Sequence, residues 1–441
     1  MRLRSFALAL CLLACIGLSA CASETPAEHA ADLYAAKEMA AAPVQGNLPD
    51  YSLPPTQLTQ AQHLASLRLN LHFGSEAWGI LQLVFLLALG IIARMRDTAV
   101  RITRHRWLQG YIFLLLFLFC RTLLNLPLSL YSHHLGLYYG LSIQSWPGWF
   151  ADAGKALVLE WLVGGLLLLL LFALIRKAPR RWWLVFWLAA VPIVLAGLYL
   201  SPILIDPLFD HFEPLALHHP DLATQLEHMG VPANRQFLMK ASAKVTTPNA
   251  YVTGLANSKR IVVWDTSLTP GQSPSPEVLW MVGHECGHYV LHHVLKGTLL
   301  TLAGLLPLLY LCYLFLEWAI IRYGTRWRIP SQRDWGALAI ILLAVSLLNT
   351  VTEPISNAIS RQIEHHADIY GEEAIHGLVP DTQLAVKNAC DSDGLRALED
   401  PNPRPWVEFW TYNHPATGRR AAFGKAYNPW APGMEPKYFK K

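Results

Sequence analysis

The most regular feature of this sequence is a series of long apolar runs separated by shorter polar segments. A transmembrane helix needs about 17 to 25 predominantly apolar residues. Six runs meet this requirement, near residues 77–93, 108–130, 155–175, 182–200, 298–321 and 335–352. The pattern predicts a mainly α-helical, polytopic membrane protein with its polar parts gathered after the fourth and sixth runs.

The N-terminus has the pattern of an export signal. Arg2 and Arg4 precede an apolar stretch, and small residues lead up to Cys21. This order is typical of a lipoprotein signal peptide over residues 1–21, cleaved before Cys21 and lipidated there, although ordinary cleavage nearby or an uncleaved anchor would fit it too. Residues 22–76 are polar and rich in Ala and Pro, which predicts an exported tether with some helix near 28–41.

Arginines in the loops predict the orientation. Basic clusters follow the first, third and fifth runs, whereas residues 131–153 contain no Lys or Arg. The positive-inside rule places the three basic loops in the cytoplasm. The chain then divides into membrane helices over 77–200, an outward-facing part over 201–297, two membrane helices over 298–352 and a second outward-facing part over 353–441. We therefore expect a bacterial inner-membrane protein whose polar domain faces the periplasm.

Composition supports a membrane location and argues against other classes. The chain is 53% hydrophobic and 15% charged, against about 25% charged in soluble domains. Its net charge of +4 is weak and scattered, so the sequence predicts no nucleic-acid partner. The 7 cysteines lie mostly in the signal or in apolar runs and form no disulfide framework.

The first polar part has the pattern of a small α+β unit. Ala250–Leu255 and Arg260–Trp264 resemble two strands of a hairpin. Ser275 followed by Pro276 is a helix start, with Ser as N-cap and Pro at the first helical position. We expect this helix to end near Gly297.

That helix contains an H-E-x-x-H motif at residues 284–288. Residues four apart share a helix face, so His284 and His288 can bind one zinc ion. Glu285 lies beside them, where it could take a proton from a water on the metal. The motif is typical of metalloproteases, and the alternative is a polar face with two solvated histidines.

A third ligand is expected after the sixth run. Glu364 and Asp368 are four residues apart, which suits Glu364 as a ligand and Asp368 as the carboxylate that orients a ligand histidine. His365 and His366 remain alternative ligands. We interpret His292 and His293 as orienting or interfacial residues. Near the C-terminus, His414 could donate to the oxyanion of a tetrahedral intermediate.

Several ordered motifs together resemble the CAAX prenyl protease type 1 family of integral-membrane zinc metalloendopeptidases. The resemblance runs from about residue 77 to 425. It rests on the H-E-x-x-H motif, on Glu364 with Asp368, and on His414-Pro415 with Arg420. Three further segments also resemble the family: Leu126–Tyr131, Pro202–Leu215 and Asn249-Ala250-Tyr251.

The resemblance implies an α+β zincin-like protease domain that takes peptide or protein substrates. It implies one Zn²⁺ per chain, held by His284, His288 and Glu364, with Glu285 as general base. It also implies that Asp368 contacts a ligand residue on the side away from the metal. His414 and Arg420 would lie near the transition state. A substrate strand would pair with the edge formed by Asn249, Ala250 and Tyr251.

The sequence departs from the family in two respects. The family's first membrane helix is absent, and the arginine pattern places the catalytic face outside the cytoplasm. We therefore expect processing or quality control of exported or membrane proteins. The alternatives are a protease of prenylated peptides and a non-catalytic zinc-binding chaperone or assembly factor.

Overall fold

The computed structural model describes residues 24–49, 51, 53–269 and 271–440. The expected signal peptide, with Cys21, lies outside the described residues. Helices dominate the described chain. We number them α1 to α13 in chain order: Pro26–Ala41, Pro55–Ala88, Ile91–Ile102, Arg106–Tyr138, Trp146–Lys177, Trp182–Leu200, Pro220–His228, Pro276–Val290, His293–Trp327, Ala337–Ala374, Thr382–Ala397, Pro405–Thr411 and Thr417–Ala426.

Six helical segments of the described chain are long and apolar enough to cross a membrane. They are α2, α4, α5, α6 with its continuation to Leu208, α9 and α10. Each predicted apolar run overlaps one of them, so the expected mainly α-helical, polytopic architecture is confirmed. The first run ends early because the chain turns at Gly90, whose φ of 66° is left-handed. The basic segment that follows forms α3.

Two of these helices extend well beyond their apolar runs. Helix α10 spans 38 residues, so the sixth membrane run continues without a break into the polar segment that contains Glu364 and Asp368. Helix α2 spans 34 residues and begins at Pro55, inside the segment expected to be a tether. Polar ends of membrane helices therefore build part of the polar domain.

The helix expected near residues 28–41 is present as α1, but it packs against the rest of the protein and is not part of a free tether. Helix α1 begins with a capping box between Thr25 and Glu28 and packs against α13. Its buried face consists of Ala27, Ala31 and Ala35, which recur every four residues. An Ala-rich composition indicated a linker, but this spacing creates a flat face that fits closely against another helix.

A four-stranded sheet forms the β part of the domain. The strands are β1 Phe212–Pro214, β2 Gln236–Met239, β3 Ala250–Thr253 and β4 Arg260–Trp264, in the order β1-β2-β4-β3. The predicted hairpin is confirmed as the antiparallel pair β3–β4. Sequence patterns did not indicate that β2 pairs in parallel with β4. Strand β3 lies at the edge of the sheet, beside α8.

Helix α8 begins as expected and ends earlier than expected. The Ser275 side chain accepts a hydrogen bond from the Val278 amide. The helix ends at Val290, not near Gly297, because His292 adopts a left-handed φ of 58° and a new helix begins at His293. This break changes the direction in which His293 points.

Helices α8 and α10 touch through their backbones. A Cβ built on Gly371 would lie 2.6 Å from the His284 backbone nitrogen, and one on Gly283 would lie 3.2 Å from the Gly371 Cα atom. Gly287 faces Tyr370 and Ala367 at similarly short range. No side chain larger than hydrogen fits between the helices at these positions, so their polar faces lie unusually close together.

The contact between α8 and α10 predicts that a methyl group added at Gly371 destabilises the protein. Gly371→Ala should lower the free energy of unfolding by about 1–3 kcal/mol, because the added methyl forces the helix backbones apart. The measurement is the thermal unfolding midpoint of the full chain in detergent.

Gly297→Ala is the matched control, since a Cβ there meets no heavy atom within 4 Å and Ala favours a helix. Equal midpoints for the two variants would contradict the proposed contact.

Candidate functional site

Two histidines of α8 converge on one point. His284 and His288 lie one helical turn apart, and their Nε2 atoms are 3.0 Å apart. Neighbouring Cys286 is buried in the core and packs there as a small apolar residue. The two histidines therefore share one helix face, as predicted, and their ring nitrogens lie close enough to bind one ion.

Helix α10 brings a carboxylate to the same point. Glu364 Oε2 lies 3.2 Å from His284 Nε2 and 3.3 Å from His288 Nε2. Four ligands held about 2.1 Å from one zinc ion at tetrahedral angles would be about 3.4 Å apart. The three atoms thus form a triangle of the size of one tetrahedral face, so the donor set fits zinc.

Glu285 lies near this triangle without belonging to it. Its Oε1 atom is 3.9 Å from His284 Nε2, farther than the Glu364 oxygen. Glu285 also forms a group with His284 and His288 whose possible ligand atoms lie within 4.8 Å of one another. We assign the third corner to Glu364 because its oxygen is close to both imidazoles. Burial raises the pKa of the Glu285 carboxyl above its ordinary value.

A chain of charged hydrogen bonds fixes the His284 ring from behind. His284 Nδ1 donates to Asp368 Oδ1 at 2.8 Å, which leaves Nε2 free to bind a metal. Arg420, on α13, donates from Nε and Nη2 to the two Asp368 oxygens at 2.9 and 2.7 Å. Its guanidinium lies 5.1 Å from the centre of the Trp280 ring. The expected carboxylate behind a histidine is therefore present.

The environment of His284 favours positive charge. Burial acts to lower the pKa of His284, but hydrogen bonds to Asp368 and Glu364 outweigh it and raise the pKa to about 10. Carboxylates that stabilise an imidazolium equally stabilise a cation bound at Nε2. The local field thus suits a metal ion.

His414 reaches the site from the loop before α13. Its Nε2 atom lies 3.2 Å from Glu364 Oε2, and its side chain is 48% exposed. The ring therefore stands at the open side of the ligand triangle, as expected for a group that contacts substrate. Arg420 contacts Asp368 behind His284, and it lines the same cavity as His414.

His293 and His365 lie on different sides of the ligand residues. His293 Nδ1 lies 3.1 Å from His288 Nδ1, behind the second ligand candidate, so it belongs to the orienting group. Sequence spacing alone placed it half a turn away from His288, and the helix break at His292 removes that offset. His365 turns away from the triangle toward Glu28 and Asp32, so the structure gives no support to it as a ligand.

A large cavity adjoins the open side. It has a volume of about 840 Å³ and is lined by residues that include Asn249, Tyr412 and His414. Asn249 precedes β3, and its Oδ1 accepts a hydrogen bond from the Ala250 amide. Tyr251 packs beside Met239 and Val262. The segment that leads into β3 therefore borders the cavity, through Thr247, Pro248 and Asn249.

Comparison with known proteins agrees with this arrangement. Residues 46–211 match a family model described as "CAAX prenyl protease N-terminal, five membrane helices", and residues 217–426 match the model of peptidase family M48. Four of the six candidate spans of the described chain lie within the first match. Together the two models account for most of the chain.

The matches to individual relatives cover most of this chain and most of each relative. The uncharacterized metalloprotease YhfN of Bacillus subtilis is 29% identical over 378 residues, which cover 83% of this chain and 85% of the relative. CAAX prenyl protease 1 of Saccharomyces cerevisiae is 26% identical, with 71% of each chain covered. The crystal structure of Ste24p from S. mikatae shares the fold, with a TM-score of 0.72 at 20% identity, over 89% of this chain and 95% of that one.

The two successive family models, the relatives and the helical membrane fold lead to one classification. The chain is an integral-membrane metalloprotease and belongs to peptidase family M48.

Proposed function

We propose that this chain is a zinc metalloendopeptidase that cleaves exported or membrane proteins on the periplasmic side of a bacterial inner membrane. His284, His288 and Glu364 would hold one Zn²⁺ ion. The observation that carries the proposal is the triangle of their ligand atoms, with sides of 3.0, 3.2 and 3.3 Å. Three protein ligands and an open fourth position are typical of catalytic zinc, whereas structural sites are closed by four.

Glu285 is the proposed general base. Zinc, when bound, supplies a Lewis acid that polarises the scissile carbonyl and acidifies the attacking water. Glu285 takes the proton from that water and delivers it to the departing amine. Its raised pKa suits both steps, because a carboxyl that ionises closer to neutral pH both accepts and returns a proton readily.

His414 and Arg420 have separate proposed roles. His414 stands at the open side, where it can donate from its ring to the developing oxyanion. Arg420 acts as a positioning residue through its two hydrogen bonds to Asp368, which in turn orients His284. The expectation that Arg420 also lies near the transition state stays a prediction, and its position in the lining of the cavity beside His414 is compatible with it.

The substrate is proposed to bind as an added strand. Among the described residues, edge strand β3 has no partner strand on one side, and the large cavity lies beside Asn249, which precedes the strand. An extended peptide can pair with such an edge through main-chain hydrogen bonds. Asn249, Ala250 and Tyr251 would hold the substrate main chain, while the cavity accepts side chains on the His414 side.

The periplasmic orientation rests on charge. Basic residues cluster in the loops after the first, third and fifth spans, and the positive-inside rule places these loops in the cytoplasm. A signal peptide cleaved before Cys21, with Cys21 lipidated, would give the same arrangement. Substrates would then be exported or membrane proteins, since prenylated peptides arise in the cytosol.

Removing the proposed base should abolish catalysis without removing the metal. Glu285→Gln should lower kcat for a casein-like or peptide substrate by a factor of at least 10², while the zinc content per chain stays at the wild-type value. Glu277→Gln, on the same helix but in its first turn, is the matched control and should retain activity. Unchanged hydrolysis by Glu285→Gln would rule out this mechanism.

Removing the proposed oxyanion donor should affect turnover more than binding. His414→Ala should reduce kcat by about 10²–10³ with little change in KM, because the hydrogen bond forms as the oxyanion develops. Steady-state kinetics on a fluorogenic peptide measures both constants. A change confined to KM would instead assign His414 to substrate binding.

Topology can be tested with reporter fusions. Alkaline phosphatase fused after the C-terminus should be active, because the enzyme matures only in an oxidising compartment. The same reporter inserted after Arg328, in a basic loop, should be inactive. The reverse pair of activities would place the site in the cytoplasm and favour a cytosolic substrate.

A further inference from the structure

A second group of metal-binding side chains lies away from the proposed zinc site. It consists of His72 and Glu76 on α2 and Glu353 on α10, whose possible ligand atoms all lie within 4.8 Å of one another. His72 and Glu76 are four residues apart and share one helix face. His72 and Glu76 thus have the same four-residue spacing as His284 and His288, and Glu353 faces them from a second helix.

Each of the three side chains has a solvent-inaccessible atom without a hydrogen-bond partner. These atoms are His72 Nε2, Glu76 Oε2 and Glu353 Oε2. His72 Nε2 does lie 3.2 Å from Glu353 Oε1, but the pair is not aligned as a hydrogen bond. Leaving a buried polar atom unpaired costs about 1–3 kcal/mol, and more for a charged group. Three such atoms in one group of side chains indicate that a bound species interacts with them.

No compensating basic residue accounts for the two carboxylates. Among the described residues, His72 is the only basic side chain within ion-pair distance of Glu76 or Glu353. Buried carboxylates are normally paired with a positive group or coordinate a metal ion. A divalent cation would neutralise both carboxylates and bind the free imidazole nitrogen.

The group is separate from the catalytic triangle but open to the same interior. Glu353 precedes Glu364 by 11 positions on one continuous helix, a separation of roughly 16 Å along the axis. His72 lines the large cavity beside the triangle. Glu76 and Glu353 line a neighbouring cavity of about 660 Å³ between α2, α9 and α10. An ion could therefore reach the group through these spaces.

We propose that His72, Glu76 and Glu353 form a second divalent-metal site that joins α2 to α10. One imidazole with two carboxylates is a donor set for a first-row transition ion such as Zn²⁺. Two of the three ligands come from one helix and the third from the helix that carries Glu364 and Asp368. The ion would cross-link these helices and stabilise the position of the catalytic half of α10.

Counting metal ions tests the proposal directly. The full-length protein in detergent is stripped with a chelator and dialysed against micromolar Zn²⁺, and bound zinc is measured by mass spectrometry. Wild type should hold two ions per chain. His72→Ala should hold one, and His284→Ala, which lacks a catalytic ligand, should also hold one.

His63→Ala is the matched control. His63 lies on α2 as well, where its ring contacts Tyr139 at 2.6 Å, and its removal should leave two ions. One ion in wild type, or two in His72→Ala, would overturn the proposal. If His72→Ala loses both ions, the volume-conserving Glu353→Gln decides: a single ion supports the site, and any other number contradicts it.

A thermal measurement separates this site from the catalytic one. In His284→Ala, added Zn²⁺ should still raise the unfolding midpoint, because the second site binds the folded state only. The double variant His284→Ala with His72→Ala should show no such rise. A rise of equal size in both would overturn the proposal without bearing on the catalytic mechanism.

Discussion

The site depends on how closely α8 and α10 approach each other. A His–Asp hydrogen bond of 2.8 Å joins the two helices, and their backbones are in direct contact beside it. Gly283 and Gly371 permit that approach, because a Cβ at either position meets the opposite backbone. The imidazole face of α8 and the carboxylate face of α10 are thus brought into contact by the absence of side chains beside them.

This contact also explains why a charged network is tolerated in a buried place. Each member of the chain from Arg420 through Asp368 to His284 has a partner, and a buried ion pair is stabilising only when its remaining donors and acceptors are satisfied. Trp280 covers the guanidinium on one side. The network has one free end, at His284 Nε2, and that end points into the ligand triangle. His293 has the same relation to His288, with two ring nitrogens in contact.

Local features could be predicted from the sequence, and distant pairings could not. The spacing of His284 with His288 and the helix start at Ser275 follow from rules that act within a few residues. The partnership of His284 with Asp368 joins positions 84 residues apart. The spacing of Glu364 and Asp368 and the family resemblance indicated it, but no local rule brings the two helices together. The packing of α1 was missed because composition indicated a linker, while the spacing of its buried alanines depends on a partner helix far along the chain. The contact of His293 with His288 could not be predicted from helical spacing, because a left-handed residue, His292, interrupts the helix.

Chemistry and compartment are encoded in different parts of this molecule. The ligand triangle lies at the junction of α8 and α10, whereas the arginines on which the proposed orientation rests lie in the loops after the first, third and fifth spans. Changing loop charge would invert the protein across the membrane without altering a single contact at the site, since positive-inside selection acts on loops during insertion. A protease fold of this kind can therefore acquire a new set of substrates by changing the side it faces while its catalytic geometry stays the same.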